Sequence, residues 1–224
     1  MIFSSLPPAL EERTLLLELN HRINNEFASV INLVSVAAVR ADNSEVKAAL
    51  SDVVELLNEH AEVHHALKMP DRDGLIDAAD HLAKLCLATS RSRLDRMNIQ
   101  LVFSADPLRL QSERCWRLAL AVHELVTNSM RHGYFEGRDG LIKVELALAG
   151  QSASCRVSDT GTDCRALKPG QGLGIVIDLA KALGGDINHA VGADGAACNL
   201  VFPLTEREQP ANPARARRPP GPVK

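Results

Sequence analysis

His21 is the first residue whose position in the sequence suggests chemistry. Apolar residues recur every three or four positions over residues 11–39, which predicts an amphipathic helix. At about 100° per residue, His21 and Asn25 fall on the face opposite this stripe, so the imidazole is expected to face water. An exposed histidine has a neutral ring nitrogen that can accept a phosphoryl group, although most exposed histidines are ordinary surface residues. The apolar stripe consists of Leu16, Leu19, Ile23, Phe27, Val30 and Val34.

A second group of residues suggests a site for a metal ion and phosphate. Glu124, Asn128 and Arg131 are spaced four and three residues apart within a predicted helix, so they share one face. An amide oxygen can ligate Mg²⁺, and a guanidinium can bind phosphate oxygens. The alternative is an ordinary solvated face with paired charges.

Two further motifs suggest contacts to a nucleotide. A predicted strand ends at Asp159 and is followed by Gly161, and the Asp159 carboxylate could accept a hydrogen bond from an exocyclic amine. Glycines at positions 170, 172 and 174 open an apolar helix, where backbone N–H groups can approach phosphate oxygens. These glycines do not form a P-loop, and their surroundings fit a dinucleotide-binding fingerprint only weakly.

The sequence predicts a pair of helices, the first of which contains His21, and then a unit of helices and strands that contains the other motifs. Residues 41–45 supply turn and capping residue types, and a second helical pattern follows to residue 67. Two helices joined by a short polar turn predict an antiparallel hairpin, and dimerisation into a four-helix bundle would cover both apolar stripes. Beyond Pro70 the patterns predict helices over 75–94 and 112–132 and strands over 99–103, 141–148, 153–158 and 197–202. The predicted fold class is therefore α+β, with a hairpin in residues 1–69 and an α/β unit in residues 70–205.

The composition is that of a globular protein, with 46% hydrophobic and 24% charged residues. No apolar run approaches the ~20 residues of a membrane span. The first residues lack the pattern of a secretory signal, so we expect a cytoplasmic protein that does not enter a membrane. Five cysteines without C-x-x-C spacing predict reduced thiols rather than disulfides or a zinc site. Residues 206–224 are basic and proline-rich, which predicts a disordered tail, and the acidic remainder argues against nucleic-acid binding.

The order of four motifs resembles that of the HWE-type sensor histidine kinases and their closest relatives in the GHKL superfamily. The motifs are Glu18-Leu-Asn-His-Arg, His123-Glu-Leu-Val-Thr-Asn, Asp159-Thr-Gly and Gly172-Leu-Gly. The resemblance covers residues 15–204. It implies a dimerising hairpin that bears the phosphoacceptor, followed by an ATP-binding α/β sandwich of the Bergerat type. It also implies ATP and Mg²⁺ as ligands, a homodimer, and a response regulator receiver domain that takes the phosphoryl group on an aspartate.

The same resemblance implies a role for each residue that matches a family motif. His21 is the phosphoacceptor, Asn128 ligates Mg²⁺ and Asp159 holds the adenine amine. The phosphates are flanked by Glu124, a catalytic residue, and by Arg131, His132 and Lys168. Backbone room for the nucleotide is implied at Gly161, Gly172 and Gly174. Asn25 lies where related kinases use a polar side chain to orient the water that removes phosphate from the partner, which makes phosphatase activity a secondary hypothesis.

Three departures from the family pattern keep two alternatives open. Asn24 stands where a basic residue is usual, Asp163 stands where a glycine is common, and the lid formed by residues 162–169 is short. A carboxylate close to a triphosphate would repel it. The chain could then be a phosphotransfer or scaffold protein that does not bind ATP, or a GHKL regulator of the anti-sigma type that uses no histidine of its own. Because only about ten residues precede the first helix, we expect the signal to arrive through an upstream sensory protein.

Overall fold

The computed structural model describes residues 8–69, 74–133, 140–161, 171–192 and 195–209. It begins with two long helices, α1 (Pro8–Arg40) and α2 (Ser44–Ala66), which pack against each other. Asn43 begins α2, since its side-chain oxygen accepts hydrogen bonds from the backbone N–H groups of Glu45 and Val46 at 2.7 and 3.4 Å. The predicted hairpin is confirmed.

The rest of the described chain forms an α/β sandwich. The elements are β1 (Leu75–Asp77), α3 (Ala78–Thr89), β2 (Ile99–Ala105), β3 (Arg109–Gln111), α4 (Ser112–Gly133), β4 (Gly140–Ala149), β5 (Ser152–Asp159), α5 (Gln171–Ala182), β6 (Asp186–Gly192) and β7 (Gly195–Pro203). A short π-helical segment, Ser90–Leu94, extends α3 and is followed by a 3₁₀ turn, Asp95–Met97. The five-stranded sheet has the order β2-β4-β5-β7-β6, while β1 and β3 form a separate two-stranded ribbon. Only the β2–β4 pair is parallel among these described strands.

One face of the five-stranded sheet packs against the helices. Along β4, Ile142 and Val144 are buried, whereas Lys143 and Glu145 between and beyond them are exposed. This alternation is typical of a sheet with one covered face. The buried side chains of α4 form a helical stripe that lies on the covered face. The buried residues of α4 include Leu118, Val122, Leu125 and Val126.

The base of the hairpin is fixed to the sandwich. Val63 of α2 belongs to the same apolar core as the sheet. The indole N–H of Trp116, on α4, donates to the backbone oxygen of Leu67 at 2.9 Å. Arg96 forms an ion pair with Glu59 of α2 at 3.1 Å. The α/β unit therefore contacts the hairpin near the C-terminal end of α2, away from the turn that joins the two helices.

Some expectations from the sequence need correction. The helix predicted over 75–94 starts only at Ala78, because Asp77 ends β1 and caps α3 by accepting from the Asp80 N–H at 3.0 Å. The prediction that the chain is disordered from residue 206 onward is wrong for residues 206–209, because Glu208 is buried and paired with Arg114. The remainder of the predicted tail and the predicted domain boundary at Pro70 lie outside the described residues.

The structure also bears on the cysteines and on the membrane. Four cysteines, at positions 86, 115, 155 and 198, are buried free thiols, and Cys164 lies outside the described residues. Burial raises the pKa of Cys155 to about 12. In the described part of the chain, no helix combines the length and the apolar character needed to span a bilayer.

Candidate active site

His21 is exposed on α1, as the helical pattern predicts. The Asn25 side chain lies one helical turn further along, with its Nδ2 atom 3.2 Å from His21 Nδ1. Arg22 Nε donates to Glu18 Oε1 at 2.8 Å, and this hydrogen bond holds the pKa of Glu18 below its usual range. The two charges beside His21 therefore largely neutralise each other.

The predicted apolar stripe of α1 is covered only in part. Ile23, Phe27 and Val34 are half-buried, and the ring of Phe27 lies 5.0 Å from that of His64 on α2. Leu19 and Val30, in contrast, are 55% and 43% exposed. They lie beside two further exposed residues, and we call this set the uncovered face of α1. It consists of Leu15, Leu19, Val30 and Leu33.

The second part of the site lies where α4 meets α5. Glu124 and Asn128 are half-buried on one face of α4, as their spacing predicts. A Cβ atom added at Gly172, at the start of α5, would lie 3.3 Å from both side-chain heteroatoms of Asn128 and 3.3 Å from Glu124 Oε2. The structure thus brings Gly172 to a pair of α4 residues that lies more than forty positions earlier in the sequence. We call Glu124, Asn128 and Gly172 the α4–α5 cleft.

The other residues predicted to contact phosphate are either exposed or outside the described part of the chain. Arg131 is exposed near the end of α4. Gly174 is also exposed, and an added Cβ atom there would meet no atom within 4 Å. The His132 side chain and the whole of Lys168 lie outside the described residues, together with Asp163 and the lid.

Asp159 ends β5 and is half-buried. Its Oδ1 atom accepts from the backbone N–H of Gly161 at 3.0 Å and from that of Ala196 at 3.4 Å. These bonds fix the carboxylate and leave Oδ2 without a hydrogen bond to any described residue, so Oδ2 can accept from an amine. Gly161 is buried directly beside it. No described hydrogen bond joins Asp159 to the α4–α5 cleft.

His123 is a residue for which the sequence pattern predicts no role of its own. It precedes Glu124 on α4, and its Nδ1 atom is buried without a hydrogen bond to the described residues. Burial, together with the nearby charges of Arg93 and His64, lowers the pKa of His123 to about 4. The sequence signal was its place at the start of the His123-Glu-Leu motif, but its burial depends on packing between distant elements.

Two family descriptions match adjacent parts of the chain. Residues 18–93 match the family described as "Histidine kinase", and residues 93–182 match the "Histidine kinase-like ATPase domain". The first contains His21 and Asn25, and the second contains Glu124, Asn128, Asp159 and Gly172. The chain belongs to the histidine kinases. This membership agrees with the helical hairpin and the α/β sandwich.

Individual relatives of the chain agree with this family membership. The chain is 24% identical over 204 residues to blue-light-activated histidine kinase 2 of Erythrobacter litoralis. This alignment covers 86% of the chain and 58% of the relative. It is 29% identical over 119 residues to sensor histidine kinase PdtaS of Mycobacterium tuberculosis, covering 52% of this chain and 23% of the relative. The chain thus spans less than two thirds of the length of these curated relatives.

A solved structure shows the same fold. The histidine kinase domain of the Erythrobacter litoralis EL346 blue-light activated histidine kinase superposes with a TM-score of 0.57 at 19% identity. The match covers 80% of this chain and 97% of the solved domain. The order of hairpin and sandwich is therefore that of a known histidine kinase.

Proposed function

We propose that this chain transfers the γ-phosphoryl group of ATP to His21 and then to an aspartate of a response regulator receiver domain. The observation that carries the proposal is the α4–α5 cleft, where the absence of a Cβ at Gly172 lets the start of α5 approach the Glu124 carboxylate and the Asn128 amide closely. The cleft lies in the segment that matches the histidine kinase-like ATPase domain. The exposed imidazole of His21 supplies the nucleophile, because it can be reached in turn by an ATP-binding domain and by a partner.

The donor atoms of the site fit ATP and Mg²⁺. The amide oxygen of Asn128 would ligate Mg²⁺, and Oδ2 of Asp159 would accept from the adenine amine. Glu124 lies beside Asn128 and can orient ligands of the metal. When bound, Mg²⁺ supplies positive charge against the triphosphate oxygens. Further phosphate contacts are proposed for Arg131, His132 and Lys168, and backbone room for Gly161, Gly172 and Gly174.

The chemical step requires little covalent work from the protein. A neutral imidazole nitrogen attacks the γ-phosphorus, an N–P bond forms, and the bond to the bridging oxygen breaks as ADP leaves with the electron pair. The protein positions the reactants and neutralises charge. Family membership implies dimerisation and response regulator partners in general. We propose a homodimer for this chain, a cytoplasmic location, and an upstream sensory protein as the source of the signal.

Phosphatase activity is a second candidate function. The polar side chain of Asn25 is exposed one turn from His21, where it could orient a water toward a phosphorylated aspartate of the partner. Release of phosphate from a phosphorylated receiver domain by the purified chain, without nucleotide, would test this role.

Labelled ATP tests the main proposal directly. Incubation of the purified chain with γ-labelled ATP and Mg²⁺ should produce a label that is stable to base and labile to acid, as expected of phosphohistidine. The His21→Ala variant should take up no label. His189→Ala is the matched control, because His189 is exposed on β6 and should leave labelling intact.

Each other outcome points to a different reading. Label that persists in His21→Ala would place the acceptor on another residue. Absence of nucleotide binding would favour the phosphotransfer or scaffold alternative. Nucleotide binding without self-labelling, together with phosphorylation of another protein, would favour the anti-sigma type of regulator.

A further inference from the structure

Asn25 approaches one particular nitrogen of the His21 ring. Its amide group lies at Nδ1, with Nδ2 at 3.2 Å, and both side chains are exposed. The flanking charged residues Glu18 and Arg22 bind each other instead of the ring. Within the described part of the chain, Asn25 is therefore the hydrogen-bonding partner of the imidazole. Nε2, at the other end of the ring, is the nitrogen left facing solvent.

The amide can serve Nδ1 in either of two ways. Turning the amide by half a revolution about its Cβ–Cγ bond exchanges Nδ2 and Oδ1 at nearly the same place. The turn breaks no other hydrogen bond to a described residue, because Asn25 makes none. With Nδ2 toward the ring, the amide donates to Nδ1 and the ring proton sits on Nε2. With Oδ1 toward the ring, the amide accepts the Nδ1 proton and the lone pair lies on Nε2.

Only the second arrangement suits attack on phosphorus. Nε2 is the nitrogen that an incoming phosphate can reach, because Asn25 stands at Nδ1. Nε2 must carry a lone pair to attack, so the proton must be on Nδ1. As the N–P bond forms, positive charge develops on the ring, and an oxygen dipole at the Nδ1 proton stabilises that charge. A donor at Nδ1 would oppose it.

We propose that Asn25 is a positioning residue whose amide oxygen accepts the Nδ1 proton of His21 and thereby makes Nε2 the attacking nitrogen. In the chemical step, which rests on the proposed function, Nε2 bonds to the γ-phosphorus and ADP departs with the electron pair of the broken P–O bond. The ring then carries both the Nδ1 proton and the phosphoryl group. Because the pair is exposed, the Nδ1 proton passes to bulk water.

The tautomer of His21 can be measured without any phosphorylation. Long-range ¹H–¹⁵N correlation spectra of the full chain, labelled at histidine and assigned with a His21→Gln variant, distinguish the two ring nitrogens. We expect the neutral His21 ring to carry its proton mainly on Nδ1 in the native chain. In Asn25→Ala the population should move toward Nε2–H, whereas the control Asn32→Ala, an exposed asparagine further along α1, should match the native chain.

Asn25→Asp separates an acceptor from a donor. A carboxylate of the same shape can only accept, so this variant should keep the Nδ1–H tautomer and retain most of the autophosphorylation rate. Asn25→Ala should lose about tenfold in rate at saturating ATP, the order of one hydrogen bond, with an unchanged KM for ATP. The product should be phosphorylated on Nε2.

The outcomes separate this inference from the proposed function. Equal tautomer populations in the native chain and Asn25→Ala, or an Nε2–H majority in the native chain, would overturn the inference whether or not ATP labels His21. Loss of activity in Asn25→Asp equal to that in Asn25→Ala would also overturn it. The expected tautomer shift combined with no labelling of His21 would instead refute the kinase proposal and leave the role of Asn25 on the ring intact.

Discussion

Gly172 is a residue at which side-chain size decides how closely α5 can approach Glu124 and Asn128. In Gly172→Ala, the new methyl group would lie 3.3 Å from the Asn128 amide and from Glu124 Oε2, closer than an ordinary contact. One or both side chains must move, and both are proposed to act on ATP and its metal. We expect a loss of about tenfold in ATP affinity, with a change in unfolding free energy of about 1 kcal/mol. Titration with a fluorescent ATP analogue and urea unfolding measure the two effects.

A second glycine provides the control for this change. Gly74 precedes β1, is exposed, and has no atom within 4 Å of an added Cβ. Gly74→Ala should therefore bind the analogue as the native chain does. Equal affinities for the native chain and Gly172→Ala would show that the nucleotide does not depend on the α4–α5 cleft.

The residues of the site differ in how far the sequence predicts them. Spacing along one helix suffices to put Glu124 and Asn128 on a common face, and the exposure of His21 follows from the same kind of argument. The contact between this face and Gly172 joins residues more than forty positions apart, and no local pattern encodes it. The same applies to the lowered pKa of His123, to which the charges of Arg93 and His64 from other elements contribute.

Glu208 holds together the ends of several elements. Its carboxylate is fully buried and accepts from Arg114 Nε at 3.0 Å and from the backbone N–H groups of Gln111 and Thr205, each at 2.9 Å. Arg114 also donates to the backbone oxygens at the ends of α5 and β7. The turn after β7 thus closes the sandwich at the start of α4.

Removal of this carboxylate should be costly. In Glu208→Ala, the Arg114 guanidinium and two buried backbone N–H groups lose the carboxylate that accepts from them. We therefore expect a destabilisation of about 3 kcal/mol. Glu206→Ala changes an exposed glutamate two residues away and should alter stability by less than about 0.5 kcal/mol. Urea unfolding of both variants measures the difference. Equal midpoints for the two would mean that the ion pair contributes nothing net.

Regularity decides which elements the sequence predicts. Helices α1, α2 and α4 carry long apolar periodicities, and β4, β5 and β7 alternate, so the sequence predicts each of them. Strand β6 lies at the edge of the sheet, and all of its residues except the half-buried Ile187 are exposed. It therefore has no alternation of buried and exposed residues from which to predict it. Strands β1 and β3 have three residues each, too few for a period. The composition of residues 206–224 concealed Glu208, because one buried carboxylate does not alter an average.

The uncovered face of α1 matters for the assembly of whole molecules. Leu15 and Leu33 are 69% and 67% exposed, and with Leu19 and Val30 they form an apolar strip that the hairpin does not cover. Such strips mark interaction surfaces. We expect the native chain to be a dimer by light scattering and Leu33→Glu to be a monomer of unchanged helix content. Asn32→Glu, on another face of α1, should stay dimeric.

This expectation can fail in a definite way. A native chain that is monomeric at micromolar concentration would contradict the proposed homodimer. A Leu33→Glu variant that remains dimeric would place the interface on a face of the hairpin other than the uncovered face of α1.

Acid should weaken the whole molecule where the hairpin meets the sandwich. His123 lies on α4, and the charges that act on it come from Arg93 in the π-helical segment and His64 on α2. Because burial and these charges together lower its pKa from 6.5 to about 4, the folded state binds fewer protons than the unfolded state between these values. Its contribution is complete above about pH 6.5 and is lost as the pH falls toward 4, by up to about 3 kcal/mol. Urea unfolding from pH 8 to 5 should show that the free energy of unfolding falls less steeply in His123→Leu than in the native chain or in the control His189→Leu. Parallel curves for all three proteins would mean that His123 does not contribute to the loss of stability in acid.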